Sequence, residues 1–494
     1  MAYESFARFA QALEKAGELK RIRQPIATEL EITELADREM KSPGGGKALL
    51  IEQPTVNGQV SPFPLAINAF GSNRRMAMSL GAESVDAVAA ELAALVNARP
   101  PSSLSEAIKL LGTAFDLRHA KPKIVSQGAC QQVVVRQEQL SSAAPGPCPT
   151  LLSMPILKCW PLDAGRFITL PCVVTKDPET GQRNVGMYRI QIFDQTTTGM
   201  HWQLHKVAAR HGRRYYETGQ RMPVSIFLGG DPALAFCATA PLPDGLDEFL
   251  LAGYLRKKSV ELVRCVSNDL EVPADADFVI EGYVDPTEPL RMEGPFGDHT
   301  GYYSLPDLYP AFHVTAITHR RDALYPATIV GMPPMEDFYM GTASVRLFLP
   351  VLKMNFPELV DLALPAEGVF HNLVFASIKK TYPMQAYKIM HGLWGMGQMM
   401  FTKYIVVVDE DVDVHNTSEV LFRLCATTDP QRDALFTRGP ADVLDHATSE
   451  LAIGSKLGLD ATRKLPGEGF KRDWPPLIKM DEAIKRKIDQ WRAG

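Results

Sequence analysis

Glu293 and Asp298 stand five residues apart in the stretch Glu293-Gly294-Pro295-Phe296-Gly297-Asp298-His299-Thr300-Gly301-Tyr302-Tyr303, beside an imidazole, a hydroxyl and two phenols. Three glycines and a proline bar this stretch from a helix interior or a central strand, so it reads as a rigid loop that aims polar groups. An ordinary Gly/Pro loop of this kind is a polar turn and nothing more. The density of titratable groups argues for chemistry, because two carboxylates in different surroundings can supply one acid and one base at neutral pH.

Three further segments carry candidate groups. Asn184-Val185-Gly186-Met187-Tyr188-Arg189 follows a hairpin-like Asp177-Pro178-Glu179-Thr180-Gly181 and opens a strand. Alternation puts Asn184, Gly186 and Tyr188 on one face and Val185, Met187 and Arg189 on the other. An arginine so placed is more often a structural ion-pair partner than a catalytic group. In Met200-His201-Trp202-Gln203-Leu204-His205-Lys206 two histidines stand four apart, a spacing zinc can use on a helix. No glutamate fills the HExxH position and no cysteine accompanies them, which disfavours zinc. Pro241-Leu242-Pro243-Asp244-Gly245-Leu246-Asp247-Glu248 is a turn leading into a helix whose first-turn acids suit the helix dipole in any case.

Other signals fail on inspection. Asp409-Glu410-Asp411-Val412-Asp413 imitates a calcium loop, but Val414 and Val420 stand where glycine and glutamate are required. No GxGxxG opens a helix and no GxxxxGK[ST] occurs. Met396, Met399 and Met400 read as core, and His446 has no local partner.

The elements that must position these groups fall into three regions. Residues 1–120 form an α/β domain: helices around Phe6–Ala16, Ile32–Met40 and Glu83–Val96, with short buried strands at Ala48–Ile51 and Pro64–Ile67. Residues 121–325 turn to short β-branched runs of an antiparallel sheet or small barrel, interrupted by helices at Gln203–Tyr216 and Asp247–Leu255. Residues 326–494 alternate helices (Leu347–Asn355, Gln385–Trp394) with strands (Leu373–Ile378, Ile405–Val408) as an α/β layer, and end in a helix with the stripe Ile484, Ile488, Trp491. At 494 residues the chain is long enough for two to four domains. A net charge of -5 offers no general attraction for nucleic acid. Seven scattered cysteines without CxxC read as reduced thiols of a cytoplasmic protein, and neither a secretory signal nor a run of ~18 apolar residues is evident.

The acidic loop closely resembles the signature of the UbiD family of decarboxylases, which use prenylated FMN. The resemblance extends through Asn184–Arg189, Met200–Lys206, Gly17-Glu18-Leu19-Lys20-Arg21, Leu30-Glu31-Ile32-Thr33-Glu34, Cys130-Gln131-Gln132, Ser267–Pro273 and Gly454–Thr462. It implies a central split-barrel-like flavin domain between the two α/β domains. It also implies Asp298 as proton donor, Glu293 as its acid-base partner and Arg189 as the residue that orients both. Asn184, His201 and Glu248 are implied as ligands of Mn²⁺ (or Mg²⁺), with K⁺ as a further ion. Family members differ at the His201 position, some quinone-pathway enzymes carrying arginine there. The cofactor-binding set implied is Asn184, Met187, Tyr188, Arg189, His201, Trp202, Gln203, Lys206 and Lys403, and His446 falls at the substrate end of the pocket.

The activity implied is reversible non-oxidative decarboxylation of an aromatic acid through a covalent prenylated-flavin adduct. A hydroxybenzoate, with or without a polyprenyl chain, is favoured over a cinnamate because Asp298 replaces the glutamate of cinnamate-type members. Another aryl, heteroaryl or α,β-unsaturated acid is the alternative. A flavin-binding protein without catalysis is a reading of a different class, but binding alone does not need Arg189, Glu293 and Asp298 together. A flavin prenyltransferase is the implied cofactor supplier, and the assembly expected is a homodimer or homohexamer.

Overall fold

A computed structural model describes residues 2–96, 118–141, 150–202, 206–242 and 245–493. The opening helix, Phe6–Lys15, buries Phe6, Phe9, Ala10 and Leu13 along one face, and the Ser5 hydroxyl caps it by accepting from the Arg8 amide. It packs by a four-stranded sheet ordered Leu19–Ile22, Ala48–Ile51, Leu65–Ile67, Tyr325–Pro326. The last of these strands arrives from far along the chain and pairs in parallel with Leu65–Ile67, which ties the first region to the end of the central one.

The central sheet runs in the order Arg183–Met187, Cys172–Lys176, Met222–Leu228, Phe278–Val284, Ala311–His319, Thr197–Met200, Ile190–Ile192, Phe167–Ile168, with Val133–Arg136 also paired to Ala311–His319. All of its pairings are antiparallel. Arg183–Met187 and Ile190–Ile192 lie near opposite ends of that order, yet only Tyr188 and Arg189 separate them in the chain. A sheet whose two ends are joined by two residues must curl back on itself. The half-barrel expected from sequence is therefore present, and Arg189 sits on its seam. Both faces of the sheet are buried, because alternate residues feed different cores: Val173, Val224 and Ile226 one, Cys172, Val174 and Phe227 the other.

The last sheet is mixed, in the order Leu359–Ala363, Leu373–Ile378, Tyr404–Asp409, Ile453–Asp460, Ala434–Pro440. Its parallel centre matches the α/β expectation, while the antiparallel edge strands Leu359–Ala363 and Ala434–Pro440 had no clear sequence pattern. Two helices differ from expectation. The helix expected from Leu347 begins at Glu336, because the buried Glu336 carboxylate accepts from the amides of Asn68 and Phe70 and so fixes the start by tertiary contact. The helix expected from Gln203 runs Val207–Thr218 among the described residues, with extended backbone at Lys206; residues 203–205 lie outside them. The Glu248–Arg256 helix stands as expected, capped by the Asp247 carboxylate, which accepts from the Phe249 amide. The terminal helix Glu482–Ala493 leaves Ile484, Ile488 and Trp491 exposed, and no helix of the described residues is long and apolar enough to cross a membrane.

Candidate active site

The acidic loop is rigid for identifiable reasons. Its entry strand Arg291–Glu293 pairs with Asp307–Tyr309, and the Asp163 carboxylate accepts from the Gly297 amide at 2.7 Å. A side chain at Gly297 would put its Cβ 2.2 Å from Trp160 Cδ1, so only glycine lets the loop lie on that indole. The indole is itself fixed by Nε1–H donation to the Val330 carbonyl at 2.9 Å.

At the barrel seam Arg189 meets this loop. Its Nε and Nη2 donate to the two oxygens of Glu293 at 2.8 and 2.9 Å, a bidentate pair. Nη1 donates to Asp298 Oδ2, and Nη2 also reaches Ser304 Oγ at 3.1 Å. The Glu293 side chain is fully buried and those of Arg189 and Asp298 nearly so. Burial alone would push both carboxyls up. For Glu293 the hydrogen bonds from His201 and Arg189 outweigh burial and hold it at about 2. For Asp298 the His299 hydrogen bond and Arg189 do the same, keeping it well below the usual carboxylate range. Both are thus ionised in the site as it stands.

His201 joins this network through Nδ1, 3.0 Å from Glu293 Oε2. An ionised carboxylate can only accept, so Nδ1 carries the proton and Nε2 the lone pair. Burial and the neighbouring Arg189 lower the His201 pKa, so the ring is neutral. Nε2 is buried with no hydrogen-bond partner among the described residues. A carboxylate-imidazole pair with the far nitrogen unsatisfied is the outer-shell pattern of metal sites. Glu248 Oε2 accepts from the Val185 amide at 2.8 Å, next to Asn184, and burial pushes its carboxyl up to about 7. A cation is what would return that carboxyl to its ionised form.

Sequence comparison covers nearly all of this framework. Residues 10–95, 123–333 and 338–461 match, in turn, the profiles of the N-terminal, Rift-related and C-terminal domains of 3-octaprenyl-4-hydroxybenzoate carboxy-lyase. The chain belongs to the UbiD family. It is similar to an uncharacterized protein of Archaeoglobus fulgidus, 47% identical over 99% of this chain and 98% of that one, and to one of Aquifex aeolicus, 46% identical with the same coverage. Among solved structures it is similar to the UbiD-class enzyme HmfF from Pelotomaculum thermopropionicum in complex with FMN, 25% identical with TM-score 0.78 over 99% of this chain and 100% of that one. It shares its fold with the vanillic acid decarboxylase of Sedimentibacter hydroxybenzoicus in closed form, TM-score 0.84 at 24% identity over the whole of both chains.

Against the UbiD expectation, the structure brings Arg189, Glu293 and Asp298 into one network and adds His201 to it on the Glu293 side. Asn184 and Glu248 are neighbours through Val185. Tyr188 folds back over Gly186, where a Cβ would come 2.4 Å from its hydroxyl, and is buried. Trp202 is buried against the Val207–Thr218 helix, close to Gly212, while Met187 is half-buried at the strand end. Burial lowers the Lys206 pKa, and Lys403 is paired with Asp445 at 3.0 Å. Gln203 lies outside the described residues. His446 is exposed and lies against Tyr302, the rings tilted with centroids 4.1 Å apart, so it stands beside the acidic loop.

Sequence reasoning assigned no role to Ser304, Tyr309 or His299. Tyr309 lies against the His201 ring at 4.2 Å. His299 Nδ1 donates to Asp298 Oδ1 at 2.9 Å, and its place next to Asp298 in the loop was the available signal. Asp442 and His371, which approach His299 from the C-terminal layer, had none.

Proposed function

We propose that this protein catalyses reversible non-oxidative decarboxylation of an aromatic acid of the hydroxybenzoate type, with or without a polyprenyl chain, using prenylated FMN. The observation that carries the proposal is the buried Arg189–Glu293–Asp298 network. Two carboxylates and an arginine withdrawn from water cost several kcal/mol per charge in desolvation, a cost that structure alone rarely needs. Perturbed, mutually coupled groups of this kind mark functional sites more often than structural ones.

Prenylated FMN, when bound, supplies the electron sink that an aryl carbanion needs. Asn184, Glu248 and the Nε2 lone pair of His201 would hold a Mn²⁺ or Mg²⁺ ion on its phosphate, a set of oxygens and one imidazole that suits hard divalent ions. The unsatisfied Nε2 of His201 and the raised Glu248 carboxyl fit such a clamp. Tyr188, Trp202 and Lys206 would border the flavin. Arg189 orients the substrate carboxylate, Asp298 delivers a proton to the ring carbon, and Glu293 holds Arg189 and His201 in place. Only ~1 to 3 kcal/mol separates substrates differing by a methylene, so the shorter Asp298 biases the site toward a ring-bound carboxylate without fixing the acid. The protein is proposed to work in the cytoplasm as a homo-oligomer, loaded by a flavin prenyltransferase.

The test is a panel of aryl acids offered to protein made with and without a flavin prenyltransferase, with CO₂ release as the readout. Release that requires co-production supports the proposal; equal release without it points to a metal-only reaction. Turnover of cinnamate with no hydroxybenzoate consumed would refute the substrate class.

A further inference from the structure

Loss of CO₂ from an aryl carboxylate consumes one proton: ArCOO⁻ + H⁺ gives ArH + CO₂. Asp298 is ionised beside Arg189 and His299, and arginine does not release its proton in proteins. Asp298 must therefore be protonated before it can deliver a proton to the ring carbon.

His299 is in contact with Asp298. Its Nδ1–H donates to Asp298 Oδ1 at 2.9 Å, and its backbone amide donates to the same oxygen at 2.8 Å. Its other nitrogen faces the C-terminal layer, with Nε2 3.9 Å from Asp442 Oδ2. His371 Nε2 stands nearer the same oxygen, at 3.2 Å, and the two imidazole rings lie 4.9 Å apart. Phe370 covers the remaining side at 5.8 Å. Burial opposes charge on His299, but Asp298, Asp442 and the more distant Asp337 outweigh it and push the ring up to about 9. Burial lowers His371, which stays neutral.

We propose that His299 is a positioning residue that stores the proton consumed in each turnover and passes it from Nδ1 to Asp298 Oδ1, with the Asp442 carboxylate of the C-terminal layer facing its other nitrogen. This rests on the decarboxylase reading. In the transfer the Nδ1–H bond breaks and an O–H bond forms on Asp298, leaving a neutral imidazole beside a neutral acid. An anionic substrate competing for Arg189 weakens the hold on ionised Asp298 and so favours the step. The Asp298 proton then goes to the ring carbon, which keeps the electron pair of the broken C–C bond. The carboxylate returns, and His299 takes a proton from solvent. His299, His371 and Asp442 are also metal-ligating types with donor atoms within 4.8 Å of one another. A proton held between two carboxylates accounts for the arrangement without an ion.

Histidine-labelled full-length protein, read by imidazole NMR with His299→Gln for assignment, tests the store directly. His299 is expected to keep protons on both nitrogens through pH 8, and Asp442→Asn to lower its midpoint by about one pH unit or more. In the loaded enzyme Asp442→Asn should move the alkaline limb of kcat to lower pH, and His299→Gln should cost about 100-fold in kcat with KM little changed. A neutral His299 at pH 7, an unmoved alkaline limb, or a zinc ion bound at Nε2 of purified protein overturns the proton store in an active enzyme. If no preparation turns over any aryl acid, the decarboxylase reading itself falls, and the catalytic use of the proton with it.

Discussion

Glu293 sits at about 2 in the folded protein against an ordinary value of 4.5, because Arg189 and His201 reach it where water cannot. A folded-state pKa below the unfolded one means that the ionised form stabilises the fold at every pH above about 5. That contribution, on the order of 3 kcal/mol, is lost as pH falls from 5 through 2. Melting temperature against pH should therefore drop steeply over that window in the wild type. Glu293→Gln should melt several degrees lower at pH 7 yet lose less on acidification, so that the two curves converge near pH 2. Parallel curves would show that Glu293 does not carry the acid sensitivity.

The acidic loop, as an element, was legible in the sequence because its chemistry is local. Glycine and proline exclude regular structure, and each acid is read from its own position. What the residues alone do not say is what the loop meets; Arg189 was implied by the family resemblance only. Nothing near Glu293 in the chain announces that Arg189 reaches it from a strand seam, and nothing near Asp298 announces Asp442. The first contact follows from a sheet that closes on itself, a property of strand order and not of any segment, and Asp442 approaches His299 from the separate C-terminal layer. The start of the Glu336–Asn355 helix was missed for the same reason, since its buried glutamate answers amides of Asn68 and Phe70. The support under the loop is equally non-local and can be tested at Gly297. Gly297→Ala places a methyl 2.2 Å from an indole held by its own hydrogen bond, so the loop has to lift. A stability loss of about 1 to 3 kcal/mol is expected by denaturant unfolding, together with loss of activity beyond what unfolding explains. Wild-type activity in that variant would mean that the loop position is not critical.

At the scale of the whole molecule, two regions meet at one network: the central one supplies Arg189 from the barrel seam and Glu293 and Asp298 from the loop, and the C-terminal layer brings Asp442 and His371 up to His299. The tail takes no part in this. Ile484, Ile488 and Trp491 lie exposed, an apolar stripe left uncovered by the described residues. Deleting residues 480–494 should lower the assembly mass in light scattering and leave the melting temperature of the remaining fold nearly unchanged; an unchanged mass would remove the tail from the assembly. The account as a whole stands on Asp298 as the group that protonates the reacting carbon. The most direct measurement is deuterium incorporation at that carbon, by mass spectrometry of product formed in deuterated buffer by wild-type and Asp298→Asn enzyme loaded with prenylated FMN. The account predicts one deuterium per product in the wild type and neither turnover nor exchange in the variant. Near-normal exchange in Asp298→Asn would contradict it.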